Sequence, residues 1–189
     1  MVNTQIRQLT STEYYGMIES GIIREGERVE LILGQIFTMA AKGTRHTLCT
    51  RKLFKQLLSL IGDRADVQSQ DPITLPNNTE PEPDIVIARL RSDDYVNGHP
   101  SPEDIILVIE VADSTIKFDR ETKAPIYAAA GISEYWIINL IDDRLEIYRQ
   151  PEGNIYTSIE IVIPPRSISL PQFPDIVVHI GDFFPAQKS

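Results

Sequence analysis

One segment limits the fold more than any other. Ile105-Ile-Leu-Val-Ile-Glu-Val111 is apolar throughout except for Glu110. An unbroken apolar run of that length fits a strand covered on both faces, the usual setting of a sheet with helices on either side. The same run creates a problem of charge. An ionised carboxylate inside an apolar strand is costly unless a cation or strong donors pair with it. Glu110 therefore needs partners, and the search for them organises the rest of the chain.

A second apolar strand is predicted at Asp84-Ile-Val-Ile-Ala88, introduced by Pro81 and Pro83. If the two strands are neighbours, Asp84 and Glu110 can come together. Two close carboxylates repel each other, and a divalent cation is the usual remedy. The third piece is Lys123. On a helical projection Asp119, Lys123, Ile126, Tyr127 and Ala130 share one face, and the apolar members make it the buried face. A buried lysine needs an anionic partner, and Asp84 and Glu110 are candidates.

The remaining elements follow from local signals. Thr10 to Glu19 reads as a helix with Thr10 or Ser11 as N-cap and Glu13 near N3. Residues 28–33 and 36–39 read as a hairpin turning at Gly34-Gln35. Arg45 to Ile61 reads as an amphipathic helix stopped by Gly62. Leu53, Phe54, Leu57, Leu58, Leu60 and Ile61 fall on its apolar side with His46, and Arg45, Arg51, Lys52 and Lys55 on the other. Further strands are predicted at 67–70, 134–139, 145–149 and 155–163, with a short one at 176–179. A helix lies between Asp119 and Ala130. Pro125 argues that it starts late, near Glu121 or Thr122, so that the proline falls in the first turn. The order predicts an α/β fold: a central mixed β-sheet flanked by helices, with extra antiparallel strands near the C-terminus.

Composition sets limits on function. The 189 residues suit a single domain spanning 1–189. No apolar run approaches the ~20 residues of a membrane helix, and no secretion signal is visible, so a cytoplasmic protein is expected. Cys49 is the only cysteine, which excludes internal disulfides and multi-thiolate zinc sites. A net charge of −9 argues against non-specific coating of nucleic acid. It is compatible with a nuclease, whose metal ions supply positive charge at the chemistry itself. Two oxygen ligands, one ammonium and no soft donors suit Mg²⁺ or Mn²⁺. Such a site is chemically suited to phosphodiester hydrolysis, with Lys123 orienting the attacking water or steadying the developing charge. By spacing alone the signal is weak, and structural ion pairing is the alternative.

From Pro81 to Trp136 the chain carries a longer pattern. It reads Pro-Glu-Pro-Asp-Ile-Val-Ile, then Val-Ile-Glu-Val-Ala-Asp-Ser-Thr, then Asp119 with Lys123, then Tyr127-Ala-Ala-Ala-Gly-Ile-Ser-Glu-Tyr-Trp-Ile-Ile. Upstream stand Val29-Glu-Leu-Ile-Leu-Gly-Gln-Ile and His46. This resembles a large bacterial family of restriction endonuclease-like proteins, expanded in cyanobacteria, within the PD-(D/E)xK superfamily. The resemblance covers about Tyr14 to Tyr148. It implies a restriction-endonuclease-like fold and Mg²⁺-dependent cleavage of DNA. It implies that Asp84 and Glu110 bind the metal, that the Val111 backbone carbonyl adds a ligand, and that Glu30 is an auxiliary carboxylate. It implies a homodimer, because two sites are needed to cut both strands of a duplex. One position departs from the superfamily pattern: Ala112 stands where (D/E)xK has lysine. The family resembled carries its lysine on the following helix, which here is Lys123.

Several residues keep two readings. His46 lines the site, as the resemblance implies, or is a hydrogen-bonded core histidine. Glu30 joins the site or pairs on the surface with Arg28 or a lysine. The basic side of the 45–61 helix meets a DNA backbone or is a solvated face. Asp113-Ser114-Thr115 caps a turn or contacts phosphate. Residues 164–189 close the sheet, form a dimer contact or lie loose. For the whole chain the rival to a nuclease is a non-catalytic interaction or regulatory module that kept the fold. That rival predicts a dry ion-pair cluster of Asp84, Glu110 and Lys123.

Overall fold

The computed structural model describes residues 6–185, so both ends of the expected 1–189 domain lie outside the described residues. The chain begins with α1 (Ser11–Glu19), where Thr10 and Glu13 form the reciprocal capping box foreseen in the sequence. Next comes the hairpin β1 (Val29–Ile32) and β2 (Gln35–Thr38), then α2 (Thr44–Ile61) and a short β3 (Asp66–Gln68). β4 (Ile85–Ala88) and β5 (Ile105–Ala112) follow. A helical crossover of α3 (Ile116–Phe118), a π-turn (Asp119–Lys123) and α4 (Ala124–Ala129) leads to β6 (Glu134–Asn139). β7 (Arg144–Glu152) and β8 (Ile155–Val162) form a hairpin, and β9 (Ser167–Leu170) with β10 (Phe173–His179) form another.

Six strands make the central sheet in the order β3-β4-β5-β6-β7-β8. Only β5 and β6 run parallel; the other pairs are antiparallel. This is the mixed α/β sheet expected, and all eight residues of β5 are buried. Side-chain alternation divides the core into two layers. Ile85, Ile87, Leu107, Ile109, Val111, Trp136, Ile138, Leu145 and Ile147 pack with α2. Val86, Val108, Ala112, Tyr135, Ile137 and Tyr148 pack with α4.

The structure corrects three expectations and decides one open reading. Leu58 and Leu60 are exposed, because α2 buries a narrower stripe through Cys49, Leu53, Leu57 and Ile61. Arg45 does not lie on a solvated face: it donates to the Leu140 carbonyl at 2.6 Å and pairs with Asp143 at 2.6 Å. The crossover helix starts at Ile116, before Glu121. The π-turn reconciles this with Pro125. The Ala124 N–H reaches back to the Asp119 carbonyl, and α4 then restarts with Pro125 in its first turn. Pro125 thus lies in a first helical turn, as expected, while the helical segment begins at Ile116, upstream of the expected start. Finally, residues 164–185 do not lie loose. Leu170, Phe173, Ile176, Val178, Ile180 and Phe183 join the α2 layer.

Candidate active site

The sheet register brings the carboxylates together. Ile85 pairs with Ile109, so Asp84, one residue before, stands beside Glu110 on the neighbouring strand. Asp84 is buried and fully engaged. Its Oδ2 accepts from the Val111 N–H at 2.9 Å and lies 3.0 Å from His46 Nε2, while its Oδ1 lies 3.2 Å from Lys42 Nζ. Burial works against its charge, but the hydrogen bond and charge of His46, then Lys42 and the Val111 N–H, outweigh it. They hold the Asp84 carboxyl below its ordinary range.

Glu110 is treated differently. Its Oε1 accepts from Lys123 Nζ at 2.9 Å and from the Tyr127 hydroxyl at 3.0 Å. Burial nonetheless pushes its carboxyl up to about 8, against the pull of Lys123. Lys123 also reaches Glu30 Oε2 at 3.1 Å. Burial opposes the Lys123 charge, but Glu110, Glu30 and Asp119 overcome it and hold the ammonium protonated well above its ordinary range. Asp119, one π-turn back, is buried too. Burial pushes it up to about 6 against the pull of Lys123, and among the described residues its Oδ2 has no hydrogen-bond partner.

The π-turn explains how one short segment supplies both charges. Asp119 and Lys123 line the same cavity of about 320 Å³, together with Glu30, His46, Asp84, Glu110 and Val111. Phe37 of β2 and Phe118 of α3 also line it, their ring centroids 5.5 Å apart. All the site residues expected from the sequence are thus gathered in one place. Asp113, Ser114 and Thr115 line it as well. Glu30 is buried and pairs with Lys123, so its surface reading is set aside. His46 is buried and bonds Asp84, with its Nδ1 3.5 Å from Thr50 Oγ1.

Three participants escaped the sequence reading. Lys42 sits in an irregular stretch with no periodicity to mark it. Tyr127 was visible only as an apolar face residue, not as a hydroxyl donor to Glu110. Glu82 follows Pro81 in the loop before β4, and burial raises its carboxyl, with Glu30 adding to the shift.

The donor chemistry can be tested against a metal. Among the described residues, no three His, Cys, Asp or Glu side chains converge as a ready cage. Zinc and calcium sites usually need such a cage. Mg²⁺ commonly takes one or two carboxylates and keeps its water. The cavity lining has six carboxylates, Glu30, Glu82, Asp84, Glu110, Asp113 and Asp119, against Arg28, Lys42 and Lys123. That excess of negative charge and the unpartnered Asp119 oxygen fit a hard divalent cation.

A family model described as "Putative restriction endonuclease", Uma2, matches residues 12–181. The chain belongs to the Uma2 family. The family places it in the restriction-endonuclease-like group of the PD-(D/E)xK superfamily and in a nuclease class. The Uma2 fold is also that of a crystal structure described as a putative nuclease belonging to DUF820 from Anabaena variabilis. The TM-score is 0.71 at 17% identity, covering 93% of this chain and 97% of the other. At that identity the likeness speaks for the fold. No curated protein matches the sequence. Among the described residues, no helix is long and apolar enough to cross a membrane.

Proposed function

We propose that this Uma2 protein is a divalent-metal-dependent endonuclease that hydrolyses phosphodiester bonds of double-stranded DNA. Residues 1–189 act as one nuclease domain in the cytoplasm, and two copies pair so that both strands are cut. The observation that carries the reading is that Asp84, at the head of β4 and bonded to the Val111 N–H, stands beside the buried Glu110 of β5, with Lys123 2.9 Å from Glu110.

Asp84 and Glu110, with the Val111 backbone carbonyl, are the residues that would hold Mg²⁺ or Mn²⁺. Such an ion supplies charge to the scissile phosphate and makes a nearby water more acidic. Lys123 holds the attacking water in line and steadies the charge that develops on phosphorus. Glu30 and Tyr127 fix the ammonium and the Glu110 carboxylate in place, which limits their reorganisation during reaction. His46 orients Asp84. Asp119 adds negative charge that keeps Lys123 protonated.

The test is plasmid cleavage in Mg²⁺ or Mn²⁺, comparing wild type with Asp84→Ala and Lys123→Ala. Cleavage by wild type that disappears in both variants is expected. Cleavage that survives in both would place the chemistry elsewhere.

A second reading is favoured by one specific observation. Asp84 and Glu110 are each already engaged by a lysine, Lys42 and Lys123. A non-catalytic module would keep such a cluster as a purely structural one. Wild type that neither cleaves DNA nor binds Mn²⁺ decides for it.

A further inference from the structure

Lys42 is placed unlike the other cation of the site. Lys123 is buried and tied to two carboxylates, Glu110 and Glu30. Among the described residues Lys42 makes one ion pair, to Asp84 Oδ1, and its side chain is 17% exposed. It lies in the stretch between β2 and α2, where its neighbours Ala41 and Gly43 are exposed. The other Asp84 oxygen is occupied by His46 and the Val111 N–H. Oδ1 is therefore the atom that an incoming cation would take, and Lys42 stands on it.

We propose that Lys42 is a place-holder on Asp84 that yields Oδ1 to the divalent ion and moves to the phosphate of the nucleic-acid substrate. The role rests on the nuclease reading of the same site. Before loading, the ammonium keeps the buried carboxylate charged and oriented, which would otherwise be costly. A divalent ion carries twice the charge and displaces it. The released ammonium sits on a four-carbon stem at the edge of the cavity, within reach of a phosphate that approaches the ion. Lys42 then supplies a phosphate contact beside the ion.

The test compares wild type, Lys42→Met and Arg28→Met. Arg28 lines the same cavity but donates to the Ala40 carbonyl, not to Asp84, so it controls for loss of one positive charge. Mn²⁺ binding is measured on the protein alone by electron paramagnetic resonance. Binding of a cleavage-resistant phosphorothioate DNA duplex is measured in Mn²⁺ over a range of salt. Lys42→Met is expected to bind Mn²⁺ about tenfold tighter. It is expected to bind DNA more weakly, with the salt dependence reduced by about one phosphate contact. Arg28→Met should change Mn²⁺ affinity much less. Lys42→Arg should restore DNA binding and not tighten Mn²⁺. Unchanged Mn²⁺ affinity in Lys42→Met overturns the proposal, and so does equal tightening in Arg28→Met. Tighter Mn²⁺ with unaltered DNA binding also overturns it, because the ammonium then does not pass to phosphate. If neither wild type nor Lys42→Met binds Mn²⁺, the metal reading itself fails, an outcome separate from these.

Discussion

Two carboxylates lie in one row of the sheet and meet opposite fates. Glu110 pairs in register with Ile137, and Ile137 pairs with Glu146. Both acids are buried, at 4% and 2% exposure, and both are met by a basic residue of the same π-turn. Arg120 grips Glu146 through two nitrogens, and Asn139, Arg144 and the Tyr148 hydroxyl add further donors. Although burial opposes it, this ring of donors holds Glu146 down at about 2. Glu110 has one ammonium, shared with Glu30, and one hydroxyl, and burial pushes it up to about 8. The first acid is satisfied by the protein. The second is left short of positive charge beside Asp84, in a cavity that a ligand can enter. Perturbed carboxyls gather at functional sites for this reason, whereas saturated ones serve structure.

The largest expected effect breaks the comparison on the functional side. Glu110→Gln should lower DNA cleavage by roughly 10³-fold, the size of several kcal/mol of charge stabilisation. Its melting temperature should fall less than that of Glu146→Gln, because the amide carbonyl can still accept from Lys123 and Tyr127 while Glu30 stays paired with the ammonium. A stability loss as large as its activity loss would make Glu110 a structural acid. Glu146→Gln should do the reverse. It removes hydrogen bonds to charged groups and should cost about 2 kcal/mol in urea unfolding, while cleavage per folded molecule is retained.

The acid limb of stability sharpens the same contrast. The folded Glu146 carboxyl lies below its ordinary value of 4.5, at about 2. Its contribution is therefore complete above about 4.5 and is lost as pH falls towards about 2. Denaturant curves recorded across that window should show the loss in wild type and a flatter limb in Glu146→Gln. The smallest effect expected is in Arg120→Lys. It keeps the charge but loses the two-pronged grip, and should cost about 1 kcal/mol. An undiminished midpoint would mean that the tether between the π-turn and β7 is idle.

Much of this was legible in the chain. The unbroken apolar run around Glu110 dictated a doubly covered strand, and the cost of its charge pointed to Lys123. Glu30, Asp84 and His46 each carried a local anomaly, a polar group where an apolar one was due. Lys42 carried none, because an irregular segment has no period against which a residue can look misplaced. The π-turn was hidden for a related reason. Pro125 signalled a break in the helical ladder, but a break can mark a late start or a widened turn, and only packing against β7 and the cavity decides. The exposed Leu58 and Leu60 show a further limit. A helical projection gives the side of a helix that is apolar, whereas the neighbouring strands determine how wide a stripe they cover.

The central claim is that Asp84 and Glu110 form a cation site and Glu146 does not. Titration of Mn²⁺ into wild type, Glu110→Gln and Glu146→Gln tests it most directly. The account predicts saturable binding to wild type, loss of it in Glu110→Gln and full retention in Glu146→Gln. Absence of binding to wild type, or equal binding to all three, would contradict it.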